Sequence, residues 1–188
     1  MEFTLVYRGS LKANGDPKHK QQIRRVMHAQ LKELMKASHM KHAGPPDEIL
    51  TCDYVDRGLC CVRNVGGFEF AGLVSEEMHL VAELSILLLR PEASGVIVTK
   101  GGDIDNRLKT LLDALRIPQT RDLPKSDSPQ EGENPFYCLL EDDKLITRLD
   151  ITSDRLLESQ TEPTNVNLII RVRMKPTQIT CDNIRFLQ

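Results

Sequence analysis

The stretch Leu80–Leu89 (LVAELSILLL) is apolar at almost every position and constrains the fold more than any other. A nearly continuous apolar run of this length suits a central strand of a sheet. Its densest part, Ile86–Leu89, is far shorter than the roughly 18 residues that cross a bilayer. The start, MEFTLVYRGS, does not read as a signal peptide. A cytoplasmic, nucleoid-associated protein with no membrane partner is therefore expected. At 188 residues the chain corresponds to about one domain.

Two helices stand out beside this strand. Asp16-Pro17 supplies a capping residue followed by proline at the first helical position. Ile23, Val26, Met27, Leu31, Leu34 and Met35 then repeat at helical spacing, which places Lys20, Arg24, Arg25, His28 and Lys32 on the remaining arc as an outward basic stripe. That stripe reads either as a solvated face or as a phosphate-binding one. A second helix is signalled from Asp105 by Leu108, Leu111, Leu112 and Leu115, ending before Pro118.

Extended chain fills much of the rest. Phe3–Arg8, Phe136–Leu140 and Lys144–Ile151 read as strands, with short strands around the Gly66-Gly67 turn within Leu50–Phe70 and a short extension at Gly95–Lys100. His39–Pro46 breaks the first helix. Val166, Leu168, Ile170, Val172 and Met174 alternate with Asn167, Arg171 and Arg173, a half-buried strand with a partly basic outer face. Residues 117–135 hold four prolines and many charges without an apolar period, and are expected to form a flexible insert able to reach a protein partner. These strands and two helices are expected to form a single domain over 1–188.

Charge and cysteines narrow the chemistry. The formal net charge is -2, yet residues 1–42 carry nine Lys/Arg against three acids, and residues 131–162 carry nine acids against three bases. One part of the chain can meet a polyanion and another a cation. Cys52, Cys60, Cys61, Cys138 and Cys181 are odd in number and lack C-x-x-C spacing, so they read as reduced, mostly buried fillers. Aromatic content is 4% with no tryptophan, which favours backbone and shape contacts over base stacking in any nucleic-acid complex.

The densest polar constellation is Gly101-Gly102-Asp103-Ile104-Asp105-Asn106-Arg107-Leu108-Lys109, with Asp113 further along the same helix. If the chain stays extended through Asp105, the period of two throws the Asp103 and Asp105 carboxylates to one side, with Lys109 a helical turn beyond. Two close carboxylates either raise one pKa or gather a divalent cation, for which magnesium is the natural choice. Equally, Asp105 can be an N-cap, Asp103 a turn residue and Lys109–Asp113 a surface pair. Glu141-Asp142-Asp143, between two strands, offers further carboxylates. Three acids and a lysine around a metal are apparatus for phosphodiester hydrolysis by metal-activated water.

The order GGDIDNRLKTLLDAL followed by LEDDKLI resembles the RusA-type Holliday junction resolvases, whose motif runs Asp-x-Asp-Asn-x-x-Lys-x-x-x-Asp-x-Leu and then an Asp-Asp pair opening a strand. The likeness covers roughly residues 80–150. It implies a magnesium-dependent endodeoxyribonuclease, with Mn²⁺ able to substitute, that resolves four-way junctions in DNA recombination and repair by paired nicks. It implies an α/β fold of the α+β type, one small mixed β-sheet packed by an N-terminal basic helix and a motif-bearing helix, and a homodimer, since two symmetric cuts call for two symmetric sites. By the same resemblance Asp103, Asp105 and Asp143 bind metal and act catalytically, Lys109 is essential for cleavage, and Asp142 stands beside the metal. Asn106 and Asp113 are motif members whose roles are left open. Lys20, Arg24, Arg25, Lys32, Arg107, Arg171 and Arg173 are the expected DNA contacts. The 117–135 segment is longer than the family's connection at that point. Two other readings remain open: a catalytically inactive module that binds branched DNA, and a nuclease on other nucleic acid with a protein partner.

Overall fold

A computed structural model describes residues 1–36, 62–91, 103–158, 164–180 and 183. The expected break at His39–Pro46, the strands before Val62, the extension at Gly95–Lys100, and Cys52, Cys60, Cys61 and Cys181 lie outside the described residues.

The described chain is a mixed α+β fold of two helices and seven strands. In order these are β1 (Glu2–Ser10), α1 (Pro17–Lys36), β2 (Val62–Val65), β3 (Phe68–Val74), β4 (Leu80–Arg90), α2 (Ile104–Leu115), β5 (Phe136–Leu140), β6 (Ile146–Arg155) and β7 (Asn165–Pro176), with 3₁₀ turns at Thr120–Asp122 and Asp143–Leu145. Instead of one sheet there are two. Strands β1-β7-β4-β6 form one, and β2-β3-β5 the other. Each is mixed, with β4 parallel to β6 and β3 parallel to β5. As its composition demands, β4 lies inside its sheet, between β7 and β6.

Local chemistry sets the element ends. The Asp16 carboxylate accepts the His19 N–H at 2.7 Å, capping α1 just before Pro17. Gly66 and Gly67, with φ of +58° and +85°, close the β2–β3 hairpin in a conformation that side-chain-bearing residues adopt at a cost. A Cβ at Gly72 would come within 3.0 Å of the Glu141 backbone, so only glycine lets β3 approach the end of β5 this closely.

The main core lies where Leu84, Ile86, Leu88, Leu168 and Ile170 of the larger sheet meet Ile23, Met27 and Leu31 of α1 and Leu111 and Leu115 of α2. Strand β5 is buried throughout and faces two ways. Tyr137 and Leu139 enter the main core, whereas Phe136 and Cys138 join Phe68 and Phe70 in a second cluster, with the Phe70 and Phe136 rings 5.1 Å apart.

That second cluster explains the 117–135 segment. Ile117 and Leu123 close it from the outside. Asp127 and Glu133 bind the Arg25 guanidinium at 2.9 and 2.8 Å, and the Gly132 carbonyl accepts Lys32 Nζ at 2.6 Å. The expected free insert is corrected to a strap across α1 and the smaller sheet. Its anchors are isolated residues rather than a periodic face, so no pattern announced them.

Candidate functional site

Asp103 is the N-cap of α2, in extended backbone (φ -67°, ψ 148°), and its carboxylate makes no capping hydrogen bond. Helical geometry begins at Ile104, one residue earlier than the sequence reading. Asp103 and Asp105 are therefore not presented to one side by a strand's period of two. Residues two apart across a helix start do not face each other, and the expected convergence of the pair by that route is corrected. Asp105 and Lys109, one turn apart on α2, are both exposed, and Asp103 is half-buried. The side chains of Asp103, Asp105 and Lys109 make no hydrogen bond or ion pair with the described residues, so neither the surface pair Lys109–Asp113 nor a side-chain cap occurs.

Asp113 is committed elsewhere. It accepts Lys20 Nζ at 2.7 Å and Arg116 Nη2 at 3.1 Å, and Arg116 continues to Asp122 at 3.4 Å. Burial alone would raise its pKa, but Lys20 and Arg116 outweigh that and hold the carboxyl below its usual range.

Asp142 and Asp143 lie at the other end of α2. The residue that ends the helix, Arg116, bridges Leu140 of β5, and the Ile117 N–H reaches the Leu140 carbonyl at 2.9 Å. Asp142 lines one groove with Arg116, Pro118, Gln119, Glu141 and Lys144. The Asp142 carboxylate caps the 3₁₀ turn by accepting the Lys144 N–H at 3.0 Å, and Asp143 is exposed. The 12 residues of α2 span about 18 Å, so Asp103 and the Asp142–Asp143 pair stand a helix length apart. Among the described residues no group of three or more His, Cys, Asp or Glu is placed to hold a metal ion. One chain brings Asp105 and Lys109 to one face and leaves Asp142 and Asp143 away from them.

The outward basic stripe on α1 is also corrected. Arg24 is 1% exposed and donates to Gln21, to the Asp113 carbonyl at 2.9 Å and to the Arg116 carbonyl at 3.4 Å. His28 is buried as well, accepting the Tyr137 N–H at 2.8 Å. Lys20, Arg25 and Lys32 are engaged by Asp113, by Asp127 and Glu133, and by Gly132 respectively. Conversely Val26, assigned to the core, is 40% exposed. The reason is that α1 is covered on one side by the larger sheet and on the other by β5, α2 and the 117–135 strap, with Phe136 and Tyr137 of β5 against His28, and helical periodicity allows for only one side. Arg107 is buried in α2. Arg171 is exposed on the outer face of the larger sheet, where Arg173 meets Glu2 at 2.9 Å and Glu83 at 4.0 Å. That face carries mixed charge.

Sequence reasoning missed one cluster in the groove. Arg63 binds both Glu77 and Glu141, the latter at 2.7 Å, and Glu141 also accepts the Glu76 N–H at 3.1 Å. Burial pushes the Glu141 carboxyl up, the Glu76 N–H opposes this, and the nearby Glu77 charge adds to the rise. Only the acid run at 141–143 hinted at it; Arg63 and Glu77 carry no pattern of their own.

No family model matches the chain, and no curated protein matches it. No described helix is long and apolar enough to cross a membrane.

Proposed function

We propose that this protein is a magnesium-dependent, structure-selective endodeoxyribonuclease of the RusA resolvase type, acting on branched DNA as a homodimer. One observation carries the reading. While Asp113 and Asp142 of the motif are taken up by Lys20, Arg116 and the Lys144 N–H, the N-terminal half of α2 and its cap hold out Asp103, Asp105 and Lys109 with no partner among the described residues, in the order the resemblance requires.

The donor chemistry fits the ion. Carboxylate oxygens not held by cations or hydrogen bonds are what magnesium or manganese takes, and the helix start offers no histidine or thiolate that would favour a softer metal. Asp105, exposed on the first turn, would hold it, with Asp103 at the cap the nearest other carboxylate along the chain. A bound ion supplies Lewis acidity, lowering the pKa of the attacking water and offsetting charge that develops at phosphorus. Lys109, one turn on, sets an ammonium beside Asp105 where a phosphate oxygen can pair with it. Arg171, exposed on the sheet, remains a candidate phosphate contact. Arg24 and Arg107 do not, because their guanidinium groups are inside the protein.

The test is cleavage of a labelled four-way junction and a matched duplex, with Mg²⁺ or EDTA, by wild type and Asp105→Asn. Paired nicks in the junction alone, abolished by EDTA and by the substitution, are expected. Undiminished cleavage by Asp105→Asn overturns the reading. A second reading, a junction-binding module without turnover, is favoured by the separation of Asp103 from Asp142 and Asp143; junction binding without nicking in either metal would establish it.

A further inference from the structure

Between α1 and the 117–135 strap lies a cavity of about 190 Å³, walled by Lys18, Gln21 and Arg25 on the helix and by Pro124, Ser126 and Asp127 on the strap. That is far more than the roughly 10–15 Å³ a single water needs, and it has room for a small molecule. A turn in which the Asp127 N–H reaches the Pro124 carbonyl at 3.1 Å shapes the strap wall. None of these residues belongs to the carboxylate group at the start of α2.

Two buried polar atoms of its lining residues have no hydrogen-bond partner among the described residues, Gln21 Nε2 and Asp127 Oδ2. Gln21 is 1% exposed, and its amide cannot be turned over to relieve this, because Oε1 accepts from the Arg24 guanidinium, which only donates. Asp127 Oδ1 is taken by Arg25 at 2.9 Å, which leaves Oδ2. Buried polar groups are nearly always paired, so a donor and an acceptor without partners beside one cavity point to a ligand that both accepts and donates. Charge narrows its class. Arg25 meets both Asp127 and Glu133, at 2.9 and 2.8 Å, so the three groups together keep one negative charge. Lys18, exposed and without a hydrogen bond or ion pair to the described residues, brings one positive charge to the same cavity. A bare metal ion would face the Gln21 N–H and the Lys18 ammonium, an inorganic anion would face the Asp127 carboxylate, and a neutral molecule would leave both charges unmet.

We propose that this cavity binds a small zwitterion of the class of a free α-amino acid, its ammonium on Asp127 Oδ2 and its carboxylate on Gln21 Nε2 and the Lys18 ammonium. Each of these contacts joins a charged group to an opposite charge or to a donor, the stronger kind of hydrogen bond. Gln21 Nε2 and Asp127 Oδ2 are shut off from bulk solvent, and the ligand reaches them through the side-chain adjustments that are common on binding. Bound there, it joins α1 to the strap and stabilises the folded chain by mass action. The proposal does not depend on the nuclease reading.

The test is titration of the isotope-labelled protein with glycine and with L-serine, followed by amide chemical shifts. Saturable shifts at the Gln21, Gln22 and Asp127 amides are expected below about 10 mM, a decade above a millimolar dissociation constant, together with a rise in Tm. Acetate, methylamine and acetamide each offer only part of the zwitterion, and are expected to bind about tenfold more weakly or worse, the worth of one hydrogen bond to a charged group. Gln21→Glu keeps an oxygen for Arg24 but turns an anion toward the ligand's carboxylate. Asp127→Asn keeps an oxygen for Arg25 but removes the charge that holds the ammonium. Both are expected to weaken glycine by about tenfold or more. Circular dichroism checks each fold, and Lys18→Ala, which changes an exposed residue without described contacts, replaces either variant that fails to fold and is expected to weaken glycine as well. No saturable shift with either amino acid, acetamide bound as tightly as glycine, or wild-type affinity in the folded variants overturns the proposal.

Discussion

Asp113 of α2 receives the Lys20 ammonium of α1 at 2.7 Å, and this contact ties the two helices that carry the motif and the N-terminal basic segment. The same carboxylate holds Arg116 at the helix exit, while its backbone carbonyl takes the buried Arg24. Replacing Asp113 with Ala therefore strands cations at the helix interface. A loss of about 1–3 kcal/mol is expected. For a chain of this size that is a fall in Tm of roughly 2–4 °C per kcal/mol, measured by thermal denaturation. Because the folded pKa lies below the unfolded one, this stability is present above the ordinary carboxylate range and is lost as pH falls through the folded value. The Asp113→Ala melting curve should thus approach that of wild type in acid.

His28 gives a second pH dependence in a different window. Burial lowers its pKa, while the Gly132 backbone and the Glu133 charge pull the other way without winning. The folded protein thus keeps His28 neutral where the unfolded chain would protonate it. Stability is complete above the unfolded pKa of about 6.5 and declines as pH falls toward the lower folded value. His19, lowered by burial and by Lys12, adds in the same direction. His28→Asn keeps an acceptor for the Tyr137 N–H and cannot titrate, so urea unfolding between pH 7 and 5 should show a shallower slope than wild type. An unchanged slope would contradict the buried neutral imidazole.

Cys138 should be chemically silent in the native state. It is fully enclosed in β5, and burial pushes its thiol up to about 12, the nearby Arg24 only partly opposing this. The thiolate is the reactive form, so alkylation with iodoacetamide at pH 8 followed by peptide mapping should leave Cys138 unmodified until denaturant is added.

Leu123 tests whether the strap belongs to the core. It is 8% exposed and packs with Ile117 over the phenylalanine cluster. Leu123→Ala is expected to cost about 2–3 kcal/mol, toward the low end for a buried leucine because the site lies at the surface of the cluster. A change below about 0.5 kcal/mol, the range of ordinary surface substitutions, would return the segment to a free insert.

Lys109 separates site chemistry from stability. It is exposed and makes no described contact, so Lys109→Ala should leave Tm within about 1 °C of wild type, as surface substitutions do. Under the proposed function, junction cleavage should fall by about a hundredfold or more, and the salt slope of binding should decrease by about one counterion. Arg24→Ala should do the reverse, lowering Tm without a specific change in that slope.

The sequence by itself determined the elements. The apolar run at Leu80–Leu89 demanded an interior strand, Asp16-Pro17 opened α1, Gly66-Gly67 turned a hairpin, and the alternation after Val166 made β7. Each is a local matter of period, cap or turn residue, and local rules survive folding. It also marked Asp103, Asp105 and Lys109 as a group, because their order along the chain is the signal. Tertiary structure decided the rest. Which arc of α1 meets solvent depended on a strap whose anchors, Ile117, Leu123 and Glu133, follow no period. Whether Asp142 and Asp143 meet Asp103 depended on where α2 ends relative to β5. Arg63, Glu77 and Glu141 come together from three separate segments. Periodicity describes how a chain faces one neighbour; burial from a second side, and the meeting of distant segments, is fixed only by packing.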